Sequence, residues 1–564
     1  MAVGASSSVQ PAWRALLSAA TEEWRATPFY RMSLRGADAQ SIELWGHDPR
    51  VGEAARGEEL LRGQWRVGAE RIAQTVASPW SSPHPSAYFT ARLHSFSWLR
   101  DLAAAGGARE LTAQVIAGWV RAFGEWHEAA WAPELTAERL CAWLCHGRPA
   151  FEGDLNPDLP ATMRSVGRQA RHLMLAAKDI RDPTARITAG AALTLAGASG
   201  LPEGDRMLDH GEELLLEAAA SQFFSDGGHQ SRSPESLVNA LAELLIAEDA
   251  RARQKLATDP LIKNVMARAA DMIRLLTLGD GALGCFQGGG ETKAALVSRV
   301  LSAVTAEPRA YAFANQSGFQ RLQAGDLTLV MDVGGPPAPA FGARAHAGAL
   351  AFEMASGGER MIVNVGAGRE LDPEWRAAAR ATNAHSTLVV DEALSAPFSE
   401  PRRGRGAAYP LGPQVHVKRA QDESGVWVEA QHDGYKARFG FVTRRYVFMD
   451  HAGRNVRGMD AVSRPVNAGQ RSGEPLPYRV RFHLHPRVQA RQVNHELLEL
   501  ELPSGARWRF RTDAQRCKLE SSVYLGANQQ PQPTAQIVLA GAADPNGSGE
   551  DVPNRIRWAL ARVL

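Results

Sequence analysis

GARAHAGALAFEMASGGERMIVNVGAG, residues 342–368, is followed by the helix-like WRAAARAT (375–382) and then by NAHSTLVVD (383–391). Leu350, Phe352 and Met354 alternate with smaller or charged residues, the two-residue period of a half-buried strand. Met361 to Val365 is a second short apolar run, closed by the turn Gly366-Ala367-Gly368, and Leu388 to Val390 is a third. His346 precedes the first of these runs and His385 the last. Tight glycine-rich turns between them are expected to bring both imidazoles to one rim of a sheet. A neutral imidazole there binds a metal, moves a proton near pH 7, or serves only as a hydrogen-bonded strand edge.

Outward from this stretch, two textures divide the chain. From about residue 307 onward the sequence breaks into short strand-like runs with turns at close intervals: LTLVMDVG, VWVEAQHDGY, RFGFVTRRYVFMD, YRVRFHLHP, LLELELPSG and RWRFRT among them. That spacing predicts an antiparallel β-sandwich over 307–564. Residues 91–306 instead show apolar positions at i, i+3 and i+4 in one segment after another, from ELTAQVIAGWVRAFGEWHEAAW to LIKNVMARAADMIRLLTLG. Paired helices of this regularity form an open solenoid or a closed toroid, and the absence of a fixed-length repeat argues against the solenoid. Residues 1–90 are mixed, with an amphipathic pattern from Trp13 to Trp24 and a breaker-rich PWSSPHP (79–85). The proline-, glycine- and arginine-rich stretch from Ala396 to Gly412 reads as a long loop.

Length and composition bound the function. A chain of 564 residues exceeds one compact core. A net charge of +2 excludes a basic nucleic-acid binder, and no run approaches the roughly 20 apolar residues of a membrane span. Its cationic residues are nearly all arginine, as carboxylate recognition and a GC-rich coding bias would each produce. Four scattered cysteines exclude a disulfide framework. The N-terminus lacks a basic segment followed by a long apolar one, so a cytoplasmic location is expected.

Three further segments carry candidate chemistry. FFSDGGHQSRSPES (223–236) places His229 and Arg232 after an Asp-Gly-Gly turn, and Ser231 or Ser233 before an acidic residue also reads as a helix cap. LGDGALGCFQGGGE (278–291) is glycine-rich but lacks the lysine and the preceding strand of a phosphate loop. EAQHDGYKARFG (429–440) sets His432 and Tyr435 beside a glycine turn.

AHAGALAFEM, RMIVNVGAG and RATNAHSTLVVD, with the Asp-Gly turn and HDGY, resemble the heparinase II/III-like proteins, a polysaccharide lyase superfamily. The likeness extends over most of the chain. It implies a closed (α/α) toroid followed by a β-sandwich, a cleft between them, and an anionic, uronate-containing polysaccharide as substrate. The family's frequent periplasmic location stands against the cytoplasmic expectation, and a dimer is compatible with either. Where relatives have a His-x-His pair and an aspartate, this chain has Arg344, His346 and Asn364, with His385 as the later histidine. The toroid tyrosine is missing, Phe286 lying in the corresponding segment, so Tyr435 is its expected substitute. The resemblance therefore implies His229 and Tyr435 as proton-transfer groups, and Arg232 and Arg344 as cations that neutralise the uronate. Trp98, Arg380 and His432 are the expected substrate contacts. His346, His385 and Asn364 are the expected zinc ligands, a weak set without a carboxylate. Two functions follow: a lyase working by β-elimination, or a carbohydrate-binding protein of the same fold with a degenerate centre.

Overall fold

The computed structural model describes residues 21–563, apart from 22, 74–78, 369–370, 401–407, 466–472, 528–529 and 548–553. Most of the Trp13–Trp24 pattern therefore lies outside the described residues, as does the centre of the 396–412 loop. The expected two-part architecture is present: a helical toroid, then antiparallel sheets.

The toroid is built on α1 (Arg109–Phe123), α2 (Pro133–His146), α3 (Leu159–Ala176), α4 (Pro183–Ala198), α5 (Gly204–Ser221), α6 (Pro234–Arg253), α7 (Pro260–Leu276) and α8 (Ala294–Ala303). Local chemistry sets their ends. In α6, Pro234 takes the first helical position, and the Ser233 hydroxyl accepts the Ser236 N–H at 3.4 Å. Glu235 and the pair Arg251 and Arg253 complement the helix dipole at opposite ends. Residues before 90 are not a separate unit: Tyr30, Leu60 and Trp65 share one apolar core with Trp119 and Trp143.

Two sheets make the C-terminal half. The first contains β1 (Phe313–Ala314), β2 (Phe319–Ala324), β3 (Leu327–Asp332), β4 (Phe352–Ser356), β5 (Glu359–Val363) and β6 (Leu388–Val390). The second begins with β7 (Val415–Gln421), β8 (Gly425–His432), β9 (Val442–Asp450) and β10 (Asn455–Ser463). The chain returns to the first sheet as β11 (Leu476–Leu484), then to the second as β12 (Gln489–Gln492), β13 (Leu497–Glu501) and β14 (Arg507–Thr512). β15 (Arg516–Tyr524) and β16 (Gln532–Ala543) complete the first sheet, and β17 (Arg555–Arg562) the second. Strand order is β15-β16-β11-β5-β4-β3-β2-β1, with β6 on β11, against β12-β13-β14-β17-β10-β9-β8-β7.

The opening stretch departs from expectation in one respect. β4 is buried along its whole length, as is β3. Phe352 and Met354 face the second sheet, where Phe352 stacks on Trp558 at 5.7 Å. Ala355 and Val330 belong instead to a core shared with α6 and α7. The first sheet is thus a middle layer, covered by helices on one face and by a sheet on the other. An apolar interface of this kind holds toroid and sandwich as one body. Leu350, read as part of the strand, lies outside it with φ +60°.

Candidate functional site

The Asp-Gly-Gly turn sits where toroid and sandwich meet. Gly227 has φ +88°, and a Cβ there would fall 2.1 Å from the Arg268 carbonyl, so only glycine fits. The turn aims Asp226 at the sandwich: its Oδ2 accepts the N–H groups of Gln316 and Ser317 at 2.9 and 2.8 Å. Arg232, itself at φ +56°, crosses the same junction. Its guanidinium donates to the carbonyls of Ser317 (2.7 Å), Gly335 (2.5 Å) and Gly318 (3.0 Å), and forms a buried ion pair with Asp332 at the end of β3. Every nitrogen is occupied within the protein. Arg232 is therefore a rivet between domains, not a cation held ready for a substrate carboxylate.

His229 is 1% exposed. The Ser231 N–H donates to its Nδ1 at 3.1 Å, its Nε2 faces Gln222 Oε1 at 3.4 Å, and Phe223 and Phe341 meet its ring edge to face. Burial lowers its pKa to about 4, so it is neutral at pH 7. A cavity of about 220 Å³ lies alongside, bounded by α4, α5 and Phe341, but the one cation among its described lining residues, Arg186, is paired with Glu217 at 2.9 Å.

The structure brings His346 and His385 together, with His346 Nδ1 3.1 Å from His385 Nε2. His385 Nδ1 donates to the Ala381 carbonyl at 2.9 Å, which leaves its Nε2 as the acceptor and His346 Nδ1–H as the donor. Burial holds His385 near pKa 4, as a neutral ring. Asn364 is adjacent: its Oδ1 accepts the Ser386 N–H at 3.0 Å and its Nδ2 donates to the Cys285 carbonyl at 3.1 Å. These residues do not fit zinc. The amide is engaged at both ends, and among the described residues no group of three His, Cys, Asp or Glu side chains could hold a metal ion.

The remaining candidates are dispersed. Tyr435 is 1% exposed inside the sandwich core, its hydroxyl donating weakly to the Ala393 and Leu388 carbonyls at 3.3 and 3.4 Å. Burial pushes its pKa above the ordinary tyrosine range, the reverse of what a base needs. His432 is buried against it, with rings 5.6 Å apart, and its pKa is lowered to about 4. Trp98 packs into a toroid aromatic cluster with Trp65 and Phe96 and donates to the Leu93 carbonyl at 3.1 Å. Arg380 clamps the carbonyls of Ala345 (2.9 Å) and Ala408 (2.8 Å) and lies over Phe398. Arg344 is exposed. The expected arrangement of His229, Arg232, Arg344 and Tyr435 across one cleft is not what the chain forms, because Tyr435 points into the sandwich instead of out of it.

Sequence reasoning missed the residues that connect these parts. Gln287 donates to Asp332 at 2.8 Å and accepts the His346 backbone N–H at 3.2 Å. A continuous polar chain thus runs from Arg232 through Asp332 and Gln287 to the histidine pair. Next to it, Glu353 accepts the Asn364 N–H at 2.9 Å and pairs with Arg360 at 3.4 Å. Burial pushes Glu353 up to about pKa 7 although Arg360 opposes the shift. Arg360 also meets Asp280 at 2.8 Å and Glu291 at 3.4 Å. Lone charges inside apolar strand runs, Glu353 in ALAFEM and Asp332 in LTLVMD, were the available signal.

Residues 306–559 match the family model "Heparinase II/III-like, C-terminal". Over 577 aligned positions the chain is 29% identical to FtsZ-localized protein C of Caulobacter vibrioides, spanning 98% of this chain and 96% of that protein. Among solved structures, heparinase III superposes with a TM-score of 0.68 at 14% identity, covering 93% of this chain and 87% of its own. The heparan sulfate lyase HepC of Pedobacter heparinus (a mutant) gives 0.60 at 15% identity, covering 99% and 91%. The fold is that of these lyases.

Proposed function

We propose that this chain, whose residues 306–559 match the heparinase II/III-like C-terminal model, binds an anionic saccharide without cleaving it. β-Elimination requires a cation on the uronate carboxylate, a base for the C5 proton and an acid for the departing O4. One observation carries the proposal: each group that stood for these roles and is buried is already spent. Arg232 is saturated by carbonyls and Asp332. His229 is sealed and neutral, and Tyr435 lies in the core with its proton held more tightly than usual. The relative's name, FtsZ-localized, supports a location with FtsZ for this chain as well.

The second reading, turnover of a uronate-containing polysaccharide, is favoured by the likeness to heparinase III and by the hydrogen-bonded pair His346–His385. A panel of acidic polysaccharides separates the two. Absorbance of unsaturated uronates is followed while binding to the same panel is measured by calorimetry. Binding without any rise in absorbance is expected. Absorbance that rises with the protein and stays flat with a His385→Ala variant would overturn the proposal in favour of the lyase.

A further inference from the structure

The second sheet has a free outer face. Its strands alternate buried and accessible residues, most regularly in β14, whose Trp508 and Phe510 point inward while Arg507, Arg509 and Arg511 point out. Across this face the strand register lines up Trp427, Phe448, Arg457, Ala559, Arg511 and Leu497, one from each of six neighbouring strands. Five strand spacings of about 4.8 Å make that row roughly 24 Å long. A parallel row sets Tyr446 beside Met459, and Met459 beside Arg557. Together they line a trough of about 860 Å³, on the face turned away from the first sheet.

The charges of the trough are unbalanced. It contains Arg457, Arg511 and Arg557 against Glu496 and Asp513. Asp513 is already taken by the Arg555 guanidinium at 3.3 Å and by the Arg557 backbone N–H at 2.6 Å. The guanidiniums of Arg457, Arg511 and Arg557 make no hydrogen bond or ion pair with any described residue. Exposed arginines over a floor of Trp, Tyr, Phe and Met, with no lysine among the described lining residues, form the composition of a protein-binding hot spot.

We infer that this face is a docking site for an acidic peptide segment that alternates carboxylate and apolar side chains. Its carboxylates would pair with the three arginines, and its apolar side chains would cover Trp427, Phe448 and Met459. About seven extended residues span the row. A glycan suits the floor less well: its many hydroxyls would be desolvated on Phe448, Met459 and Leu497, where the described lining offers as uncharged polar groups Asn494, Thr512, the Trp427 indole N–H and the Tyr446 hydroxyl, the last already accepting from Arg444. The inference holds whether or not the toroid junction turns over a saccharide.

A random dodecapeptide library displayed on phage tests it, panned against the full chain and counter-selected on an Arg457→Glu/Arg511→Glu/Arg557→Glu variant. All three side chains are exposed, and unchanged circular dichroism would verify the variant's fold. Enriched peptides should combine acidic and apolar residues, bind at least tenfold more weakly to the variant and to Phe448→Ala, and weaken with added salt. No enrichment, enrichment of basic peptides, or equal binding to the variant would each overturn the inference. Heparan sulfate oligosaccharides bound with the same arginine dependence, in the absence of peptide enrichment, would assign the face to a glycan.

Discussion

Asn364 shows how a single side chain decides what this centre can hold. Its amide oxygen takes the Ser386 N–H and its amide nitrogen serves the Cys285 carbonyl, so a neutral residue with both a donor and an acceptor is required. Asn364→Asp replaces the donor with charge facing a carbonyl, and adds a carboxylate close to the buried Glu353. We expect a loss of about 1–3 kcal/mol in unfolding free energy at pH 7, the cost of a buried polar group left unpaired. Zinc should raise the melting temperature of this variant and leave the unmodified protein unchanged. Stoichiometric zinc in unmodified protein purified without chelator would show that the amide does not prevent ligation. The approach of His346 and His385 was legible from their places just before two short strands, although β4 and β6 are not themselves neighbours. The use of their neighbours was not, because Gln287 and Cys285 lie more than 50 residues away in sequence.

Among the elements, the turn at 226–228 and the end of β3 act as one fastening. Asp226 reaches from toroid to sandwich, and Arg232 and Asp332 close the same seam with a pair whose side chains are 4% and 1% exposed. Asp332→Ala leaves a guanidinium buried without its counter-charge, and such uncompensated burial costs about 3–5 kcal/mol. The urea midpoint should fall accordingly. A change below about 1 kcal/mol would mean that the three carbonyls alone satisfy Arg232. The cap at Ser233 could be read from serine, proline and glutamate in succession, and the strands from their period. The rivet role of Arg232 could not, because sequence distinguishes an arginine facing substrate from one facing backbone only when the backbone is in place. Double burial of β3 and β4 was hidden for a similar reason. The face that carries Val330 and Ala355 also carries Thr328 and Glu353, polar residues of the kind a half-buried strand turns to solvent.

At the scale of the whole molecule, the toroid, the middle sheet and the outer sheet should respond to acid together, because each layer buries neutral imidazoles. His94 and His172 in the toroid have pKa values lowered to about 3. His483 on the middle sheet is also near 3, while His229, His385, His432 and His485 are near 4. Desolvation is the first cause in every case. In the unfolded chain the same rings titrate near 6.5. Between those limits the unfolded state binds more protons, so stability is complete above about pH 6.5 and is lost as pH falls towards 4. Glu353 works in the opposite sense: near pKa 7 when folded, it favours the folded state on the acid side of its window and gives up that contribution as pH rises. Asp101, Glu134 and Glu243, also raised by burial, act in the same sense as Glu353, but these carboxyls do not offset seven imidazoles. Each ring loses about 1.4 kcal/mol per pH unit below 6.5, so seven exceed a stability of about 5–15 kcal/mol within two units. The melting temperature should therefore hold level above pH 7, drop steeply from pH 6.5, and end in unfolding before pH 4. Because an apolar core joins the helices to the sheets, the transition should be single. A melting temperature unchanged between pH 7 and 5 would mean that the buried rings already carry their protons, and the neutral state assigned to His229 and His385 would fall with it.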